Sequence, residues 1–190
     1  MFTNAPLFPA GIRSPGLSYR IPGTVISPIE VIDLKRDRKS LLLCLAVPLA
    51  VGGASALLTR DEMQHFASLR QPPLSPPGWL FPVVWTLLFL MMGLASWLMQ
   101  NSGAGRGEIR RARTVYAVQL VFNFFWTILF FNLGRYLFAF VWLLVLWCLI
   151  LLTFILFSRL DKRAGYLLIP YLLWVTFAGY LNFGIWMLNG

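Results

Sequence analysis

Five long apolar segments with no internal charge constrain what this chain can fold into. A helix needs about 20 mainly apolar residues to cross a hydrocarbon core of about 30 Å. The segments cover about residues 40–58, 79–99, 114–132, 136–158 and 165–188, and none contains Asp, Glu, Lys or Arg in its interior. The sequence therefore predicts an all-α integral membrane protein, a bundle of five transmembrane helices. Only Leu133–Arg135 separate the third segment from the fourth, which predicts a tight antiparallel hairpin.

The composition excludes an ordinary soluble domain. Apolar residues make up 58% of the chain and charged residues 12%, against a usual charged share of about 25%. A soluble chain of this composition would expose large apolar patches, whereas lipid can cover them. The net charge of +9 would suggest nucleic acid binding in a soluble protein. Here the basic residues avoid the apolar segments, so we expect no nucleic acid partner and interpret the charge as a determinant of membrane orientation.

The basic residues are distributed unevenly between the two sides of the predicted bundle. Of the sixteen Lys and Arg, six precede the first segment, four lie between the second and third, and three lie between the fourth and fifth. Only Arg60, Arg70 and Arg135 fall on the other side. The positive-inside rule then predicts a cytoplasmic N-terminus and a C-terminus outside. We expect the membrane to be a bacterial cell membrane.

Residues 1–39 differ from the rest of the chain. They contain five prolines, several Gly and Ser, and no long apolar run. This composition predicts a disordered N-terminal extension and lacks the apolar region of a signal peptide; the alternative is an upstream start that the cell does not use. The basic cluster Lys35–Lys39 is expected at the headgroups, where anionic lipid would attract it.

Neither metal chemistry nor conventional catalysis is indicated. Cys44 and Cys148 lie in apolar segments without a CxxC partner, and we interpret them as buried, unreactive thiols. His65, beside Asp61 and Glu62, is interpreted as a loop residue because a metal site needs more ligands. With no Ser/His/Asp set, carboxylate pair or phosphate loop, no catalytic residue, metal or cofactor is predicted. The absence of charge inside the segments also argues against an ion-coupled transporter.

Three segments carry aromatic and amide residues at helical spacing. The stripes are Trp85, Phe89 and Met92 on the second, Gln119, Asn123 and Trp126 on the third, and Tyr171, Trp174, Ala178 and Asn182 on the fifth. One interpretation is helix packing, in which buried amides bond across helices for about 1 kcal/mol each. The other is a pocket with aromatic walls and a few polar groups that orient a ligand. The small residues of Val51–Ala56 could serve either an internal contact or a dimer face.

Three blocks, in order along these segments, carry a family resemblance. They are PPLSPPGWLFPVVWTLLF from Pro72, QLVFNFFWTILFF from Gln119 and PYLLWVTFAGYLN from Pro170. Over about residues 40–190 the chain resembles the TspO/MBR family, which comprises the tryptophan-rich sensory proteins and the translocator (peripheral benzodiazepine receptor) proteins. The resemblance implies a homodimeric five-helix bundle. It also implies binding of tetrapyrroles of the porphyrin or haem type, sterol-like molecules or other hydrophobic small molecules in a pocket among the helices, under a lid formed by the first loop.

Carried over position by position, the resemblance implies two sets of site residues. The ligand-binding set is Phe81, Trp85, Phe89, Asn123, Trp126, Tyr171, Trp174, Ala178 and Asn182, and the lid is Pro72, Pro73, Leu74, Pro76 and Pro77. Proline fixes φ and lacks an N–H, so the run cannot be helical and is stiff enough to hold a lid; the alternative is a simple helix-start signal. Porphyrin carboxylates would need a cation, which Arg60 or Arg70 could supply.

Departures from the family pattern bear on the activity. Most members carry an aromatic residue, usually Trp, where this chain has Leu74, and Phe89 replaces a common Tyr. Some members degrade porphyrins in light using that loop Trp together with the fifth-helix Trp, of which only Trp174 is present. The cholesterol-binding consensus requires Tyr followed by Lys or Arg, and neither occurs after Leu181. The resemblance therefore implies binding with a regulatory, sensory or transport role, including passive carriage, with photo-oxidative porphyrin degradation as the alternative.

Overall fold

The computed structural model describes residues 28–62, 66 and 68–190, with side chains from Asp37 onward. His65 and residues 1–27 lie outside the described residues, so the predictions made for them stay predictions. The chain divides into two units, Met1–Asp37 and Arg38–Gly190, and the second contains the features analysed below.

The described part of the chain is helical and contains no strand. The helices are α1 (Pro28–Thr59), α2 (Leu80–Gln100), α3 (Arg106–Thr127), α4 (Tyr136–Leu160), α5 (Lys162–Tyr166) and α6 (Ile169–Asn189). Five helical stretches are long and apolar enough to cross a membrane, at Asp37–Glu62, Leu80–Gln100, Arg106–Asn132, Tyr136–Leu160 and Lys162–Asn189. The predicted all-α fold with five membrane spans is confirmed. Because α1 begins at Pro28, residues 28–39 of the predicted extension are helical.

The third span differs from its predicted bounds at its start. The helix begins at Arg106, well before Thr114, because the backbone amide of Gly105 donates to Glu108 Oε2 at 3.3 Å and this bond closes the first turn. The arginines of these turns are exposed and extend the helix beyond its apolar part. At its other end α3 continues as a π-helix, Ile128–Asn132, and Gly134 at φ 57° turns the chain into α4. This is the predicted tight connection.

Packing within the bundle centres on α4, which lies along both α3 and α6, while α5 contacts α2 and α4. Helices α1 and α2 approach each other closely at two glycines. A Cβ on Gly93 would lie 2.8 Å from both the Cys44 carbonyl oxygen and the Leu45 Cα, and one on Gly52 would overlap the Phe89 ring. At Gly52 the small-residue stretch of α1 therefore makes an internal contact, while Gly53 faces open space.

The outer surface of the bundle is apolar, as expected for a surface that lipid covers. Leu42, Leu57 and Leu173 are 65%, 69% and 67% exposed. Cys44 is buried as predicted and accepts a hydrogen bond from Gln100 Nε2 at 3.2 Å. The prediction was wrong for Cys148, which is exposed, because an entirely apolar segment does not reveal which of its faces is turned outward.

The proline-rich loop is bound to α6. The Asn189 side chain makes two hydrogen bonds to the backbone of Arg70. Its Oδ1 accepts a hydrogen bond from the Arg70 amide and its Nδ2 donates one to the Arg70 carbonyl, both at 3.0 Å. The Tyr180 hydroxyl donates to the Pro73 carbonyl at 2.8 Å. Pro72 is buried, and its Cβ lies 2.7 Å from the position that a Cβ on Gly184 would take. The loop is therefore held in place from the C-terminal half of α6.

We predict that Gly93→Ala destabilises the bundle by about 1–3 kcal/mol, because the new methyl group meets backbone atoms that cannot move aside without separating α1 from α2. Gly53→Ala is the matched control. It places a methyl group in open space within a helix, where alanine is favoured over glycine by about 1 kcal/mol. Thermal unfolding in detergent should show a lower midpoint only for Gly93→Ala; equal midpoints for both variants would contradict the close approach.

Candidate functional site

A cavity of about 310 Å³ lies between α1, α2 and α3. Its volume falls at the lower end of the range for ligand pockets, about 300–1,000 Å³. The aromatic wall comes from α2 and α3, the opposite wall from small and hydroxyl-bearing residues of α1, and a few polar groups complete it. The lining residues are Gly52, Ser55, Ala56, Thr59, Arg60, Gly78, Phe81, Pro82, Trp85, Phe89, Asn123, Trp126, Thr127 and Phe131. We call this space the aromatic cavity.

The aromatic wall is a continuous stack. Trp85 and Phe89 are one helical turn apart on α2, and their rings stack with centroids 5.6 Å apart at 30°. Trp126 of α3 lies 6.2 Å from Trp85 at 36° and stacks on Phe130 at 5.6 Å and 22°. Such offset and tilted arrangements are the preferred geometries of aromatic pairs. The cavity is thus bounded on one side by broad aromatic faces.

Behind this wall, buried polar side chains join α3 to α6. Asn123 Nδ2 donates to the Tyr171 hydroxyl at 3.0 Å, and that hydroxyl donates to Gln119 Oε1 at 3.0 Å. Gln119 Nε2 in turn lies 3.8 Å from Met92 Sδ on α2. Asn123 also lines the cavity, and its Oδ1 makes no hydrogen bond to any described residue. It is therefore available to accept a hydrogen bond from a ligand.

Asn182 holds Trp126 in position. The indole Nε1–H of Trp126 donates to Asn182 Oδ1 at 3.2 Å, and Asn182 Nδ2 donates to the Tyr136 carbonyl at 2.8 Å. Both amide ends are thus bonded within the bundle, and Asn182 does not line the cavity. Its role in this geometry is to set the angle of the Trp126 ring.

The structure brings together five of the nine residues that the resemblance implied as ligand-binding. Phe81, Trp85, Phe89, Asn123 and Trp126 all line the aromatic cavity. The other four, Tyr171, Trp174, Ala178 and Asn182, belong to α6 and lie one layer behind.

Contacts between rings link two of these α6 side chains to the wall. The Tyr171 ring is edge-on to Trp85 at 6.2 Å, and Trp174 is edge-on to Phe81 at 6.0 Å. The Trp174 Nε1 is buried without a partner among the described residues. Both side chains therefore support wall residues and do not face the cavity.

The five positions implied as a lid do not line the cavity. None of Pro72, Pro73, Leu74, Pro76 and Pro77 is among its lining residues. Pro72 and Pro73 contact α6, and Leu74, at φ 67°, is 82% exposed. Of the other described residues between α1 and α2, Gly78 lines the cavity and Phe66 contacts its wall. The Phe66 ring contacts Phe81 at 6.0 Å and Phe131 at 5.4 Å, both of which line the cavity.

Sequence reasoning missed the α1 wall. Gly52, Ser55, Ala56 and Thr59 follow the i, i+3, i+4, i+7 spacing of one helix face, a signal present in the sequence and interpreted above only as a contact surface. The Ser55 and Thr59 hydroxyls donate to the carbonyls of Val51 and Ser55 on the preceding turn, so their oxygens present acceptors to the cavity.

Arg60 is the only cation among the residues that line the aromatic cavity. Its side chain is 70% exposed and forms an ion pair with Asp61 at 3.4 Å. Arg70, the other cation considered from the sequence, does not line the cavity.

The five membrane-crossing helices, three of which enclose the aromatic cavity, define a multi-pass membrane protein. The chain belongs to the TspO/MBR family, whose profile matches residues 44–187. It is similar to the tryptophan-rich protein TspO of Chlorobaculum tepidum, with 41% identity over 151 residues, 79% of this chain and 96% of that protein.

Two further relatives extend the comparison. The tryptophan-rich sensory protein of Cereibacter sphaeroides is 38% identical over 157 residues, 82% of this chain and 95% of that protein. The translocator protein of Bos taurus is 34% identical over 145 residues, 75% of this chain and 86% of that protein. The similarity therefore covers the whole helical bundle and spans bacterial and mammalian proteins.

We predict that Tyr171→Phe lowers the free energy of unfolding by about 1 kcal/mol, because it leaves the amides of Gln119 and Asn123 without their buried partner. Tyr166→Phe is the control, since Tyr166 is 64% exposed and its hydroxyl makes no hydrogen bond to a described residue. Thermal unfolding in detergent measures both variants. An unchanged midpoint for Tyr171→Phe would contradict the proposed coupling of α3 to α6.

Proposed function

We propose that this protein binds a flat hydrophobic ligand with an anionic edge, of the tetrapyrrole class, in the aromatic cavity. Binding would serve a sensory or transport role in the membrane. The observation that carries the proposal is the combination of a stacked aromatic wall with one cation, Arg60, among the lining residues.

The aromatic wall favours a planar ligand. Trp85, Phe89 and Trp126 present broad ring faces, and stacked aromatic pairs are worth about 0.5–1.5 kcal/mol beyond the area they bury. The α1 side contributes small residues, so a thin ligand could lie between the two walls. Asn123 Oδ1 would accept a hydrogen bond from a polar edge such as a pyrrole N–H.

Arg60 distinguishes a tetrapyrrole from a sterol. A sterol offers a single hydroxyl and no charge, whereas porphyrins carry carboxylates that form charge-assisted hydrogen bonds with a guanidinium. Arg60 already pairs with the carboxylate of Asp61, which a ligand carboxylate would replace. Ala56 and Pro82 line the cavity and are also exposed, so the cavity is open and a ligand larger than 310 Å³ could extend beyond it.

The charge distribution supports an orientation for this site. The basic residues are concentrated before and at the start of α1, at the start of α3, and from the end of α4 into α5. The positive-inside rule therefore favours a cytoplasmic N-terminus. Arg60, after α1, would then lie at the outer face of a bacterial cell membrane, and the C-terminus would be outside. We also propose that the protein forms a homodimer, as the family resemblance implies.

The photochemical alternative gains no support from the geometry. Leu74, at the position where family members usually have Trp, is exposed and does not line the aromatic cavity.

We predict that Arg60→Gln weakens protoporphyrin IX binding about three- to fivefold, because an exposed ion pair contributes up to about 1 kcal/mol. Titration in the dark, followed by quenching of tryptophan fluorescence, measures the affinity. Arg70→Gln is the matched control, since it removes a neighbouring cation that does not line the cavity, and its affinity should equal that of the parent protein.

A second ligand distinguishes the contribution of the ligand's charge to binding from that of its shape. Octaethylporphyrin has the same macrocycle without carboxylates, so Arg60→Gln should leave its affinity unchanged. Equal weakening by Arg60→Gln and Arg70→Gln, or no saturable quenching by either porphyrin, would overturn the proposal.

A further inference from the structure

A second cavity, of about 250 Å³, lies at the opposite end of the same three helices. It is bounded by the first turns of the α1 span, the end of α2 and the first half of α3, and it shares no lining residue with the aromatic cavity. Its walls include Leu43, Val47 and Tyr116. We call it the amino-terminal cleft.

The cleft meets a basic surface at Arg113. Arg113 lines the cleft and also lines a hollow of about 510 Å³ with Arg106 and Arg110. These three arginines occupy positions i, i+4 and i+7, so they lie on one face of α3. Within the described residues the only ion pair joins Arg60 to Asp61, so this arginine stripe has no carboxylate partner. It is a concentration of positive charge available to an anion.

Tyr116 provides an independent observation. Its side chain is 6% exposed and lines the cleft, and its hydroxyl is buried without a hydrogen-bond partner among the described residues. A buried donor left unsatisfied is destabilising, and more so in an apolar membrane interior. Tyr116 follows Arg113 by three residues, on the same helix face. The hydroxyl is therefore a hydrogen-bond donor placed just below the arginine stripe, on the side of the membrane interior.

The α1 side of the cleft carries apolar residues suited to a hydrocarbon chain, while Ser40, Ser96 and Gln100 add polar groups to the lining. Leu43 and Val47 of α1 are 67% and 53% exposed, and Ala117 of α3 is exposed as well, so the cleft opens onto the lipid-facing surface. A soluble anion would gain nothing from these apolar residues. A ligand with a charged head and an apolar tail would use both parts of the site.

We propose that the amino-terminal cleft binds one anionic phospholipid from the adjacent leaflet. The headgroup phosphate would contact Arg110 and Arg113, an ester carbonyl would accept a hydrogen bond from the Tyr116 hydroxyl, and an acyl chain would lie along Leu43 and Val47. The arginines would then have an opposite charge beside them, and the Tyr116 hydroxyl would have a hydrogen-bond acceptor. The proposal does not depend on the function proposed for the aromatic cavity.

The test uses the full chain, delipidated in detergent and titrated with palmitoyl-oleoyl phosphatidylglycerol or, in parallel, with the zwitterionic phosphatidylcholine of the same chains. Native mass spectrometry counts the bound lipids. We expect one phosphatidylglycerol to bind at least tenfold more tightly than phosphatidylcholine. Arg113→Gln should weaken that binding about tenfold, as expected for loss of a charge-assisted contact.

Two variants distinguish a specific lipid-binding site from nonspecific electrostatic attraction. Arg111→Gln removes an exposed arginine that lines neither the cleft nor the basic hollow, and it should bind phosphatidylglycerol like the parent protein. Tyr116→Phe should weaken phosphatidylglycerol binding two- to threefold without lowering the melting temperature, because it removes an unpartnered hydroxyl. A purely structural tyrosine would leave lipid binding unchanged.

Three results would overturn the proposal. Equal weakening by Arg111→Gln and Arg113→Gln would mean that surface charge alone attracts the lipid. Equal affinity for the two lipids would mean that the cleft recognises acyl chains only. Displacement of phosphatidylglycerol by equimolar inorganic phosphate would mean that the site binds a free anion.

Discussion

The structure depends on the hydrogen bonds that α3 makes with α6 inside the bundle. Gln119 and Asn123 share the Tyr171 hydroxyl, and Trp126 is bonded to Asn182 one turn further on. Inside a membrane no water can replace a lost partner, so each unmet group is costly. These bonds therefore tie α3 and α6 to one register. A shift of either helix by one residue would break several of them together.

This arrangement also decides where the cavity lies. Because the α6 amide and hydroxyl groups are occupied in holding α3, they support the aromatic wall from behind. The face of that wall is then turned toward α1, where Ser55 and Ala56 are too small to fill the space. The cavity results from a rigid aromatic side opposite a helix of small side chains. The same three helices leave a second space at their other end, where α1 meets the arginine stripe of α3.

Physical reasons explain what the sequence could and could not predict. Membrane spans follow from hydropathy because the bilayer requires long uncharged helices, and the aromatic stripes of α2 and α3 follow from helical periodicity. The role of α1 could not be predicted from the sequence, because small residues permit both close helix packing and an open cavity. Only the positions of Phe89 and Gly93 in the structure show where α1 is closely packed. Likewise the apolar run around Cys148 contains no signal for the face that lipid covers. The partners of the proline-rich loop, Tyr180 and Asn189, lie more than 100 residues away in the chain and leave no local pattern.

The central claim is that a tetrapyrrole binds between the walls of α1 and of α2 with α3. Crystals grown with zinc protoporphyrin IX, measured at the zinc absorption edge, test it most directly, because the anomalous signal locates the macrocycle without reference to the protein. We expect one zinc peak between Trp85, Trp126 and the Ser55 turn of α1. A peak on the outer surface of the bundle, or against the proline-rich loop on α6, would contradict it.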